Sequence, residues 1–143
     1  MSRIDPLGLA TPSDIAIALD VIKGYVPELF PVPPTSVTPV PNLSSWLGPV
    51  QGVTDWKNNI QINANLYGDC KTPVSEFLFA EFLQTIAHEW QHVQQGLGER
   101  LLTRGPLHEQ IDRNAEIIAG KVRNEFARRR QATPQDACVC TGR

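Results

Sequence analysis

The sequence predicts a mostly helical α+β domain with a small sheet, and three observations carry that reading. Two long stretches, about 73–96 and about 107–130, repeat apolar residues at helical spacing. One short stretch from Ile60 to Leu66 alternates apolar and polar residues with period two. A run rich in proline and turn residues separates the first helical signal from that strand, which leaves little chain for further strands. At 143 residues the chain is about one domain, large enough to bury a core.

The elements follow in order. The first ten residues, MSRIDPLGLA, read as an appendage, so the domain proper spans 11–143. Thr11 is suited to cap a helix and Pro12 to occupy its first position. Ile15, Ala18, Leu19 and Ile22 then share one face, and Gly24 is a natural stop. Pro31, Pro33, Pro34, Pro39 and Pro41 exclude a helix or a central strand, so this part should lie extended over the surface. Ile60, Ile62, Ala64 and Leu66 mark a half-buried strand closed by Gly68-Asp69, with short partners expected within 36–40 or 46–53. Thr72-Pro73 opens the first long helix, which ends at Gly96 or Gly98. Ile111, Ala115, Ile118, Val122 and Phe126 line one side of the second.

Composition narrows the function classes. A net charge of -2 gives no electrostatic footprint for nucleic acid, and Arg128-Arg129-Arg130 suits a helix C-terminus. No stretch approaches the ~18 apolar residues of a membrane span, and no signal peptide follows Met1. Cys70, Cys138 and Cys140 are too few for a disulfide framework.

The chemistry concentrates in Thr85-Ile86-Ala87-His88-Glu89-Trp90-Gln91-His92-Val93-Gln94-Gln95. On a helical wheel with His88 at zero, Phe79, Phe82, Leu83, Ile86, Ala87, Trp90 and Val93 gather between roughly 120° and 260°. Glu81, Thr85, His92 and Gln95 stay within roughly 60° of His88. Two imidazoles four residues apart, with Cβ atoms ~5–6 Å apart, can converge on one zinc ion. Zinc lowers the pKa of its bound water to around 7, and the neighbouring Glu89 can take that proton. His88-Glu89-x-x-His92 thus supplies two ligands and a general base. A catalytic zinc takes a third protein ligand. The second long helix offers Glu116, which borders its apolar stripe, with Glu109, Asp112 and His108 as alternatives. Tyr67 and His108 are candidate donors to a developing oxyanion.

His88-Glu89-Trp90-Gln91-His92-Val93-Gln94-Gln95, followed by Asn114-Ala115-Glu116-Ile117-Ile118-Ala119, resembles the gluzincin group of zinc metallopeptidases. It also resembles the small metallopeptidase domains of bacterial toxins, which carry H-E-x-x-H-x-x-Q and a later Asn-x-Glu-x-x-Ala. The likeness covers about 73–126. It implies a zincin-like fold, with 73–96 as the active-site helix and 107–130 as the ligand helix. His88, His92 and Glu116 are then zinc ligands and Glu89 the general base. Many gluzincins place an aspartate four residues after the ligand glutamate; here that residue is Gly120, and Asp112 or Gln95 would serve in the second shell. In zincins a strand borders the cleft and pairs with substrate, a part that 60–66 would play.

Arg3-Ile4-Asp5-Pro6-Leu7-Gly8-Leu9 resembles the Asp-Pro-x-Gly-Leu element that ends the core of Rhs-repeat proteins, beyond which variable C-terminal toxins follow. By this resemblance 1–10 is the end of an Rhs core that encapsulates the toxin before release. The same likeness implies a secreted antibacterial effector, delivered into rival cells by a secretion system and matched by a cognate immunity protein. The competing readings are an Rhs toxin of another class (nuclease or nucleotide-modifying) and a binding module with a structural metal.

Overall fold

In the computed structural model of the protein, residues 9–65, 73–95 and 106–132 are described. They form a small α+β fold of three helices and five short strands, as the sequence predicts. Helix α1 spans Pro12–Tyr25. A 3-10 turn at Pro27–Leu29 leads to strand β1, Ser36–Val40. Strands β2 (Ser44–Ser45) and β3 (Gly48–Pro49) make a hairpin, and β4 (Gly52–Thr54) and β5 (Asn59–Asn63) make a second. Helix α2 covers Pro73–Gln94 and helix α3 covers Pro106–Ala132.

Helix α1 begins with a reciprocal capping box. The Thr11 hydroxyl accepts from the Asp14 N–H, and the Asp14 carboxylate accepts from the Thr11 N–H. The helix does not stop at Gly24, which lies within it. It stops because Pro27 forces Val26 out of the helical region, to φ -141 and ψ 62. Just before the cap, Ala10 is buried and donates to the Ala64 carbonyl, and Leu9 packs on the core. The packed body therefore includes the end of the 1–10 segment. The rest of that segment, with Asp5 to Gly8, lies outside the described residues, as do all three cysteines.

The main sheet has the order β1-β5-β4, with β1 parallel and β4 antiparallel to β5. Its helix-facing side carries Ile60 and Ile62, both fully buried, and Val37. Thr38, Gln61 and Val53 are in register on the exposed side. Period two is thus satisfied with one wet face. Pro39 is tolerated because β1 is an edge strand. One expectation is corrected here. The 60–66 segment supplies the central strand, flanked on both sides, and so has no edge left for a substrate. Of the two edge strands, β1 and β4, it is β4 that lies against α2.

The core forms where α1, α2 and the sheet meet and extends along α3. Phe82, Leu83, Ile86 and Ala87 of α2 are fully buried, as are Ala115, Ala119 and Val122 of α3. The proline-rich segment is tied down by α2. Trp90 stacks on Phe30 with centroids 4.8 Å apart and donates its indole N–H to the Val32 carbonyl at 2.9 Å. The Gln94 amide both donates to and accepts from the Val32 backbone. These contacts fix the rotation of α2, which turns its polar side toward α3 and β4.

Candidate metal centre

His88 and His92 leave the polar side of α2 one turn apart, with ring centroids 5.0 Å apart. Their side chains are only 18% and 15% exposed, because α3 packs across them. From α3 come Asp112 and Glu116, themselves one turn apart and more exposed, at 52% and 56%. The Nε2 atoms of the two histidines are 3.2 Å apart. Asp112 Oδ1 lies 2.9 Å from His88 Nε2 and 3.4 Å from His92 Nε2. Glu116 does not join this triangle. Its Oε2 meets the other ring nitrogen, His88 Nδ1, at 3.0 Å.

The hydrogen of His92 can be placed from its partner. Gln95 donates its amide N–H to the Ile111 carbonyl, so its Oε1 faces His92 Nδ1 at 2.8 Å. An amide oxygen only accepts, so His92 Nδ1 carries the hydrogen and Nε2 the lone pair. His88 meets a carboxylate at each ring nitrogen, Glu116 at Nδ1 and Asp112 at Nε2; with a metal on Nε2 its hydrogen would sit on Nδ1 and be donated to Glu116. Two ring nitrogens and a carboxylate oxygen thus converge on one point, as the ligands of a metal ion do.

The triangle also has suitable dimensions. Around a tetrahedral ion with bonds of ~2.0–2.1 Å, ligand atoms sit about 3.3–3.4 Å apart. The observed edges of 2.9, 3.2 and 3.4 Å come within a few tenths of an ångström. His88, His92 and Asp112 could thus hold a metal ion.

Glu89 faces the sheet instead of the triangle. It is 9% exposed, and Thr54 Oγ1 lies 2.7 Å from its Oε1 and 3.0 Å from its backbone carbonyl. Gly52, two residues earlier on β4, lets the strand approach; a Cβ there would sit 2.9 Å from Glu89 Cγ. A cleft of about 220 Å³ opens between β4 and the helices, bordered by Gly52, Gln84, His88, Glu89 and Glu116. Glu89 and the first histidine thus line one cleft.

Of the other residues singled out from the sequence, Glu109 is exposed on the first turn of α3, while Tyr67 and the His108 side chain lie outside the described residues. Gly52, Thr54 and Gln84 carry no signal in the sequence. The first two are more than thirty positions before the motif, and only strand pairing brings them to it. No family model, no curated protein and no solved structure matches the chain.

Proposed function

We propose that the protein is a zinc-dependent metallopeptidase, with His88, His92 and Asp112 as ligands, Glu116 as the carboxylate behind His88, and Glu89 as general base. One observation carries the reading: three potential ligand atoms lie within 3.4 Å of one another, and Glu89 lines the same cleft as His88. Zinc, held by these residues, would supply an acidified water and a polarised carbonyl. The protein supplies the rest. The β4 edge receives an extended peptide as an added strand, which lays a scissile amide along the cleft. Glu89 takes a proton from the water as its oxygen attacks the carbonyl carbon, then gives it to the amide nitrogen as the C–N bond breaks. The Thr54 hydroxyl anchors the carboxylate for both transfers.

The setting of this activity is proposed from the sequence. The resemblance of residues 3–9 to the end of an Rhs core supports a toxin released into a competing bacterium, with an immunity protein in the producer. No helix among the described residues is long and apolar enough to cross a membrane.

The test is Glu89→Gln, which keeps the shape of the side chain and removes the base. Metal analysis should find about one zinc per chain in both forms, while peptide hydrolysis and growth inhibition fall by about 10²–10⁴-fold in the variant. Undiminished hydrolysis by Glu89→Gln would sink the assignment.

A further inference from the structure

We infer that Gln84 is a positioning residue that determines which carboxylate of α3 is left to bind the metal; this rests on the metal reading above. Asp112 and Glu116 lie one turn apart on the same helix, and each contacts His88. Either has the chemistry of a zinc ligand. What separates them is a chain of polar contacts that ends on Glu116.

The Gln84 amide donates to Glu116 Oε1 at 2.5 Å and accepts from Arg123 Nη1 at 3.3 Å. Arg123 is held in turn by an ion pair with Glu81 and lies over the Phe77 ring, 5.2 Å from its centroid. Gln84 sits one turn before His88 on α2, so both Glu116 oxygens are fixed from that helix, Oε1 by Gln84 and Oε2 by His88 Nδ1. A carboxylate gripped at both oxygens cannot swing across the ring to the Nε2 side. Asp112 is left on that side, with Oδ1 beside both Nε2 atoms. The same grip holds an acceptor against His88 Nδ1, so that with Nε2 on the metal the ring hydrogen has a fixed partner. Gln84 therefore acts on the metal only through Glu116.

That dependence is testable by a double-mutant cycle in zinc affinity, measured on the full chain by competition with a chromogenic chelator. Gln84→Met keeps the bulk of the side chain and removes both amide contacts. Gln84→Met and Glu116→Ala should each weaken zinc binding by about 10–100-fold. The double variant should bind no more weakly than Glu116→Ala alone. All forms should keep one zinc per chain, and the metal-free proteins should melt within a few degrees of wild type. The cobalt-loaded Gln84→Met protein should show a shifted visible spectrum, which a loss of fold stability alone does not produce. Wild-type zinc affinity in Gln84→Met, or losses that add in the double variant, would overturn the inference while leaving the metallopeptidase reading intact. A wild-type chain that binds no zinc would remove both.

Discussion

Gly52→Ala is the sharpest probe of how Glu89 is placed. A methyl group added at Gly52 would lie 2.9 Å from Glu89 Cγ, 3.2 Å from Ile62 Cδ1 and 3.3 Å from the Gln61 carbonyl oxygen. Carbon atoms rest at about 3.5–4.0 Å, so roughly 0.6–1 Å must be found. Neither neighbour gives way cheaply. Ile62 is fully buried in the central strand, and Gln61 is backbone within the β4–β5 ladder. The strain falls on Glu89, or on the separation of β4 from α2. Overpacking of this kind costs about 1–3 kcal/mol. A reacting group displaced by about 1 Å can lose ~10²-fold in rate.

The expected result is a stability loss in that range, a 10- to 100-fold loss of hydrolysis and one zinc per chain as before. Urea denaturation, cleavage of a fluorescently labelled unfolded protein and metal analysis would measure the three. Thr54→Val serves as the companion, since it removes the hydroxyl without adding bulk and should also slow hydrolysis with zinc retained. If Gly52→Ala cleaves at the wild-type rate, β4 does not position Glu89, and the carboxylate is not the base that this geometry requires.

Two further expectations concern the scaffold. Glu125 is held at about pKa 2, chiefly by hydrogen bonds from Arg128 and then Arg129. Because its folded value lies below the ordinary 4.5, its contribution to stability is complete above pH 4.5 and disappears as the pH falls toward 2. Glu125→Gln should therefore lower the melting temperature slightly at pH 7, by about 2 °C or less for a surface pair, and the difference should close near pH 2. Trp90→Phe removes the indole hydrogen bond to Val32, but Gln94 still donates to the same carbonyl, so no acceptor is orphaned. Its cost should be about 1–2 kcal/mol by urea denaturation, well below the ~3–5 kcal/mol of Trp90→Ala.

The helices and β5 were legible in the sequence because a single amphipathic pattern defines each. The apolar flank read from 79 to 93 is the buried flank of α2, and Ile60, Ile62 and Ala64 are buried as period two requires. The remaining strands were harder to read. Strands β2, β3 and β4 are two or three residues long, too short for alternation to register, and β1 contains Pro39. The role given to 60–66 failed for a related reason. Periodicity shows that a segment is a strand, but whether it has a free edge depends on its neighbours.

The candidate metal centre divides along the same line. His88, Glu89 and His92 belong to one helix, where spacing alone fixes their relation. The proposed third ligand comes from α3, and among the candidates the sequence offers there, Asp112 and Glu116 are only about 40° apart on the wheel. Burial does not separate them, since Asp112 and Glu116 are about equally exposed. The difference lies in which nitrogen of His88 each one meets, and that depends on a glutamine one turn away on α2 and an arginine one helix away. A ligand set that spans two helices is thus encoded less in the ligands than in the residues that restrain the near alternative. A search for ligand-type residues alone passes over the restraint, because amides and arginines on helix surfaces are common and carry no motif.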